Sequence, residues 1–119
     1  MKTEAKKLLL DIVEACQAIQ QFNPGGSLAD YSANAMRRAA TERKFEVIGE
    51  AIVRLRELDA PVLAKIGEAP AIIGFRNRLI HGYDSVDDEI VWRVIQEKLP
   101  LLLQQAEALL AQPDLPKSK

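Results

Sequence analysis

The chain has 119 residues, of which 48% are hydrophobic and 28% charged, and this balance predicts one soluble domain with a core of its own. No apolar run is long enough to span a membrane; with a lone Cys16 and no export signal, we expect a cytoplasmic protein that lacks disulfides and does not associate with membranes. The formal net charge of −1 lacks the basic excess that is typical of nucleic-acid binders, so an RNA site would need cations concentrated locally or by assembly.

The predicted elements are all helices, because strong helix formers such as Ala, Leu, Glu and Lys dominate the composition. A first helix is expected from about Thr3, as N-cap, to Phe22, and the sequence "NPGGS" ends it. A second helix opens at Ser27, where Asp30 three residues later suggests a capping box. It extends as far as Leu58, a length that allows for a kink or a break.

The second half of this helix carries two adjacent apolar stripes. One stripe is Phe45, Ile48, Ile52 and Leu55, and the other is Val47, Ala51 and Leu58. A face that wide can pack against a core and a partner at once.

The next predicted helices flank the most polar part of the sequence. After a short helix at most in "LDAPVLAKIGEAP", a third segment is expected from Ala71 to about His81, with Ile72, Phe75 and Leu79 on one face and the glycine at position 82 ending it.

A last helix is expected to begin with Asp84 or Ser85 as its cap and acidic residues 87–89 in its first turn. It runs to about Ala111, and Pro100 should kink or split it. These elements predict a single all-α domain of four or five helices over residues 1–112, followed by a flexible C-terminal tail, 113–119.

The stretch "RNRLIHGYDS", residues 76–85, holds the only histidine of the chain. Asn77 and His81 share a helix face, and Arg78 nearly does. Arg76 lies five residues before His81, about 140° around a straight helix, so the two converge poorly within one chain. A symmetric dimer would instead bring two arginines and two histidines into one cleft.

Such a cluster suits RNA cleavage without a metal, and one His with one Cys excludes a zinc site of the usual kind. A neutral His81 can take a proton from a ribose 2′-hydroxyl, and a protonated one can give a proton to the leaving oxygen. Arg76 can bind the phosphate oxygens. Asn77 can fix the tautomer of His81, and Arg78 is a second supporting candidate.

A purely structural interpretation stands beside the catalytic one, and spacing alone favours it. A histidine near a helix C-terminus is a good partner for the helix dipole, and Tyr83 can be an ordinary half-buried aromatic. Arg76 and Arg78 can also pair with acidic residues as a solvated charged face. The candidate acids are Asp84, Asp87 and Asp88.

"RNRLIHGY" resembles the R-x4-H-x-Y motif of HEPN-domain toxins, specifically HepT, whose antitoxin is a minimal nucleotidyltransferase. "RKFEVIGEAIVRL", residues 43–55, is similar to the second-helix signature of that family, and "HGYDSVDDEIVWRVIQEKLPLLL" to its continuation into a last helix. The resemblance covers residues from about 36 to 103 and favours the catalytic interpretation. The chain departs from it at "EAPAIIGF", where many members carry a Trp-containing stretch.

The resemblance implies an all-α HEPN bundle that forms a homodimer with the motif at its interface. It implies a metal-independent endoribonuclease toxin without a cofactor, with Arg76 and His81 in catalytic roles and RNA as the substrate. It also implies that the cognate minimal nucleotidyltransferase antitoxin adenylylates Tyr83. Of the signature residues Gly49 and Glu50, we interpret the glycine as a site of close helix packing and leave Glu50 open.

Two alternatives to the ribonuclease remain at the level of sequence. The first is a non-catalytic helical module that binds a nucleotide or partners a nucleotidyltransferase, with Arg76 and His81 as phosphate ligands. The second is a plain scaffold dimer with no site.

Overall fold

A computed structural model describes residues 1–81 and 87–113, with the side chain of residue 81 left out. No strand occurs in these ranges, which confirms the all-α prediction. The helices are α1 (Thr3–Phe22), α2 (Leu28–Ala33), α3 (Ala35–Leu58), α4 (Ala60–Leu63), α5 (Ala69–His81), α6 (Asp88–Glu97) and α7 (Leu99–Ala111).

The described part of the chain has more helical segments than the four or five predicted, because two of the predicted helices are split. The predicted second helix breaks at Asn34, which is extended and caps α3 by accepting a hydrogen bond from the amide of Arg37 at 3.0 Å. The predicted last helix splits at Lys98, and Pro100 stands in the first turn of α7, where its missing N–H removes no helical hydrogen bond.

The turn between α1 and α2 follows the prediction. Gly25 and Gly26 have φ angles of 72° and 93°, a conformation that favours glycine. Just before them the buried Asn23 donates to the hydroxyl of Thr41 at 3.1 Å and accepts from Nε of Arg37 at 2.8 Å. This network ties the end of α1 to α3.

The helix caps agree with the sequence only in part. The capping box of α2 forms as predicted, with Ser27 and Asp30 each accepting the amide of the other at 3.2 Å. Thr3, however, is the first residue of α1, and Lys2 occupies the N-cap without a side-chain hydrogen bond.

The prediction that Asp84 or Ser85 caps the last helix is wrong, although both lie outside the described residues. The helix begins at Asp88, and Asp87 caps it by accepting the amide of Glu89 at 2.9 Å. Asp87 therefore precedes the first turn, and Asp88 and Glu89 alone supply the acidic groups there.

The core is built around the pair α1 and α3. Helix α7 packs on α1, α5 packs on α3, and α6 packs on α7 and α2. Phe45 of α3 meets Phe75 of α5 edge to face, with ring centroids 4.9 Å apart. None of the helices in the described part combines the length and apolar character of a membrane span.

The two predicted stripes of α3 have different environments. All members of the first stripe are fully buried. In the second stripe Ala51 is buried, while Val47 and Leu58 are half-buried beside Leu8 of α1. Helix α1 of the same chain thus already covers part of the face that the sequence offers to a partner.

Candidate functional site

Helix α5 carries the candidate site and is oriented by its apolar face. Ile72, Phe75 and Leu79 are buried, as their spacing predicts, and Asn77 and Arg78 are consequently exposed. The backbone remains helical through position 81. The side chain of His81 and the whole of Tyr83 lie outside the described residues.

Arg76 is half-buried because its stem lies directly across Gly49 of α3. A Cβ atom added to Gly49 would lie 2.4 Å from Cγ of Arg76 and 2.7 Å from both its Cβ and its Cδ. Carbon atoms not bonded to each other prefer about 3.5–4.0 Å, so only glycine leaves room for the arginine. The predicted close packing at Gly49 is confirmed, and the side chain that packs there is Arg76.

The guanidinium of Arg76 is not neutralised by the described part of the protein. Its Nε is buried and has no hydrogen-bond partner, and no described carboxylate forms an ion pair with it. An unsatisfied buried donor costs about 1–3 kcal/mol, and such groups are rare in folded proteins. Arg76 therefore retains its capacity to bind an anion.

The alternative of a solvated charged face does not hold for the described acids. Asp87 uses its carboxylate to cap α6, and Asp88 lies near Tyr31 and Glu42, whose pKa values it affects. Neither pairs with Arg76 or Arg78. The third candidate acid, at position 84, lies outside the described residues.

Glu50, the signature residue beside Gly49, is exposed and pairs with Arg54 at 3.3 Å, one helical turn further on. An exposed pair of this kind contributes little to stability. Within the described residues Glu50 is thus a surface charge and not a ligand of Arg76.

A polar cluster around Tyr31 is a feature that sequence reasoning missed. Tyr31 is fully buried, its ring centroid lies 5.9 Å from that of Trp92, and its hydroxyl has no hydrogen-bond partner. Burial, and then the nearby carboxylate of Glu42, raise the pKa of this hydroxyl far above its ordinary value. Burial, and then Asp88, likewise raise the pKa of Glu42, while Arg38 opposes them. The only sequence signal was a tyrosine with apolar neighbours early in the predicted second helix.

Within residues 1–80 and 87–113, no three His, Cys, Asp or Glu side chains are grouped so that they could hold a metal ion. The described residues offer cations and an amide at α5 instead, from Arg76, Asn77 and Arg78. This donor set suits an anionic ligand such as a phosphodiester.

The comparisons with known proteins agree with the motif. A family described as "Ribonuclease HepT-like" matches residues 12–109. "Putative RNase MJ1380" of Methanocaldococcus jannaschii is 30% identical over 108 residues, which cover 89% of this chain and 96% of that protein. "Probable ribonuclease HepT" of Thermococcus cleftensis is 30% identical over 109 residues, or 92% and 98% of the two chains. No solved structure matches the chain significantly. Since the family match spans α3 and α5 with Gly49 and Arg76, and most of the remaining chain, this protein belongs to the HepT-like ribonuclease family.

Proposed function

We propose that this protein is a metal-independent endoribonuclease that uses Arg76 and His81 to cleave RNA. The observation that carries the proposal is the setting of Arg76, which is held across Gly49 with a buried Nε and no described acidic partner. An arginine without a described acidic partner, in a family of ribonucleases, is suited to bind a phosphodiester beside α5.

The proposed reaction is an internal transesterification. A neutral His81 takes the proton of the ribose 2′-hydroxyl, whose oxygen attacks the adjacent phosphorus, and the bond from phosphorus to the 5′-oxygen breaks. A protonated histidine gives its proton to that leaving oxygen, so the products are a 2′,3′-cyclic phosphate and a 5′-hydroxyl. Arg76 stabilises the charge on the phosphorus centre, Asn77 orients His81, and Arg78 adds a second cation. The need for a 2′-hydroxyl excludes DNA as substrate.

We further propose that two chains form the cleft. Arg76 faces α3, and position 81 lies about 140° further around α5, so a second copy is needed to supply a complementary pair. Ile80 is 41% exposed and Ile73 is half-buried on the same side of α5 as Arg76, and these apolar side chains suit an interface. Static light scattering should give the mass of a dimer at micromolar concentration. A strictly monomeric mass would count against the shared cleft.

The same proposal includes a partner, a minimal nucleotidyltransferase that adenylylates Tyr83 in the cytoplasm. The chain has two tyrosines, and the hydroxyl of Tyr31 is buried, which leaves Tyr83 as the better acceptor. An attached AMP adds bulk and a negative phosphodiester, and both exclude an RNA phosphate from the cleft.

Cleavage of cellular RNA in EDTA tests the nuclease. The wild type should cleave RNA, and Arg76→Ala and His81→Ala should each abolish cleavage while circular dichroism shows that the helices persist. Arg54→Ala is the matched control, because it removes a cation of α3 that lies beside α1 and should leave cleavage intact. If the wild type binds RNA but never cleaves it, the protein is the non-catalytic binding module instead.

Intact-protein mass spectrometry tests the modification. Incubation with the nucleotidyltransferase and ATP should add AMP units to the wild type and suppress cleavage. Tyr83→Phe should block the addition and largely keep RNase activity. The same addition on the Phe variant would refute Tyr83 as the acceptor, whereas loss of cleavage by that variant would place Tyr83 among the catalytic residues. A neighbouring gene for such an enzyme would support the pairing.

A further inference from the structure

A groove of about 530 Å³ runs between α5 and α6, next to the candidate site. Helix α5 packs on α3, whereas α6 packs on α7 and α2, so the two sides of the groove belong to helices with different packing partners. Its volume is within the range of roughly 300–1,000 Å³ that is typical of small-molecule sites. Six of the residues that line it are Ala71, Gly74, Phe75, Arg78, Ile90 and Val94.

The groove is lined by apolar residues and by two cations, Arg78 and Lys98. Ile90 and Val94 form the α6 wall. Lys98 forms an ion pair with Glu68, with 3.5 Å between its Nζ and the carboxylate. Arg78 is exposed and has no described acidic partner, so it is the lining cation that remains available for an anion.

Gly74 leaves part of the α5 side of the groove without a side chain. A Cβ added there would meet nothing within 4 Å, in contrast to the crowded position of Gly49. No packing requirement therefore explains this glycine inside a helix, where glycine costs about 0.5–1 kcal/mol relative to alanine. The open space faces the groove, and a longer side chain at this position would fill it.

We propose that this groove binds one nucleotide of the RNA substrate, adjacent to the cleavage site, with its base against the apolar lining residues and its phosphate on Arg78. Nucleobases have apolar faces that pack on hydrophobic surfaces, and Arg pairs with phosphate. Position 78 is one helical turn from position 81, so a nucleotide held here adjoins the scissile phosphate. The inference rests on the proposed ribonuclease function and adds a positioning subsite to it.

The test measures binding of a non-cleavable RNA that carries a 2′-deoxy sugar at the cleavage position. Gly74→Leu fills the groove and Arg78→Gln removes its cation, and each should weaken binding about tenfold. Ala108→Leu, which adds a leucine on the exposed side of α7, and Arg54→Gln are the matched controls and should leave binding unchanged. Circular dichroism should show that all four variants keep their helices.

A second measurement identifies the base. Abasic residues are placed one at a time along the same RNA. One abasic position next to the cleavage site should weaken binding to the wild type about tenfold, and should cost the Gly74→Leu variant nothing further. Equal losses for both proteins at every position would overturn the base pocket.

The remaining outcomes separate this inference from the proposed function. If the wild type cleaves RNA and Gly74→Leu binds it normally, the groove is not a subsite although the ribonuclease stands. If RNA binds and the groove variants weaken binding but no cleavage occurs, the ribonuclease proposal fails, and the groove is a nucleotide-binding site without a cleavage site beside it. If Gly74→Leu binds RNA normally but no longer forms a dimer, or no longer forms a complex with a nucleotidyltransferase, the groove is a protein interface and the inference is overturned.

Discussion

Because the proposed ribonuclease depends on the position of Arg76, the substitution Gly49→Ala should slow RNA cleavage, although it replaces no residue that is proposed to react. The added methyl would lie 2.4 Å from Cγ of Arg76 and 2.7 Å from its Cβ. Cβ cannot move by a change of rotamer because it is bonded to the α5 backbone. Restoring a separation of about 3.5 Å therefore requires α3 and α5 to move apart locally by about 0.8 Å, and the guanidinium moves with α5.

Two effects on stability oppose each other in this variant. Replacing glycine by alanine inside a helix contributes about 0.5–1 kcal/mol, whereas overpacking of a tight contact costs about 1–3 kcal/mol. The steric cost is the larger, so the free energy of unfolding should fall by roughly 1–2 kcal/mol. With Arg76 in its proposed catalytic role, the effect on the cleavage rate is larger still, since displacement of a catalytic group by about 1 Å can cost on the order of 10²-fold in rate.

Urea unfolding followed by circular dichroism and an RNA cleavage assay measure the two quantities. Gly74→Ala is the stability control, because it makes the same chemical change in a helix where the new Cβ meets nothing within 4 Å. It should raise the free energy of unfolding by about 0.5–1 kcal/mol. If Gly49→Ala is stabilised to the same extent and retains full activity, Gly49 does not position Arg76.

Three further predictions concern buried polar groups. Arg76→Met keeps an unbranched stem across Gly49 and removes the unsatisfied Nε. Urea unfolding should show a free energy of unfolding that is unchanged or higher, with a gain of at most about 1–3 kcal/mol, and RNA cleavage should be lost. A large destabilisation would contradict this prediction. Burial raises the pKa of Glu42 above its unfolded value, so Glu42 binds a proton more tightly in the folded protein. The contribution of Glu42 to stability therefore falls as pH rises from about 4.3 through its folded pKa. The advantage of Glu42→Gln in unfolding free energy should accordingly grow from acid to neutral pH, and a difference that is independent of pH would refute it. Burial, and then Glu107, raise the pKa of Cys16 to about 12, so a thiol reagent at neutral pH should modify it only as fast as the protein opens; rapid labelling of the native protein would exclude the buried thiol.

The elements that the sequence predicts well are those whose apolar periodicity is strong. The spacing of Ile72, Phe75 and Leu79 predicts the buried face of α5, and all three are buried. Helix α1 occupies the predicted range from Thr3 to Phe22. In these segments local preference and burial act in the same direction, so the pattern alone is sufficient.

The helix breaks and caps are harder to predict because several neighbouring residues can serve the same role. Asn34 interrupts a stretch of good helix formers, and its cap with Arg37 competes with a continuous helix at little difference in free energy. Among the acids near the start of α6, Asp87 is the cap, although Asp84 and Ser85 have equally suitable side chains. Tertiary packing decides between such near-equal choices.

In the candidate site, too, the sequence predicts residue types better than it predicts contacts between helices. The residue types of the motif and its resemblance to a known family make Arg76 a candidate catalytic residue. The contact that places Arg76 joins residues 49 and 76, and no periodicity reports contacts between helices. The glycine was the available signal, since a glycine inside a long helix reduces its stability and requires a compensating close approach. The burial of Tyr31 against Trp92 likewise depends on how α2 meets α6.

Gly49 and the unsatisfied Nε of Arg76 are two features that reduce stability, and both concern the same side chain. If Gly49 is present to make room for Arg76, the destabilisation caused by Gly49→Ala should be smaller once the Arg76 atoms that meet the new methyl are removed. Arg76→Ala deletes Cγ and Cδ and leaves only the Cβ contact at 2.7 Å, so the double variant should be more stable than the sum of the single effects by about 0.5–3 kcal/mol. Arg76→Met keeps Cγ and should give no such gain with Gly49→Ala. Additive unfolding free energies in both cycles would mean that the glycine serves the packing of α3 and α5 in general, and that the position of the arginine is incidental to it.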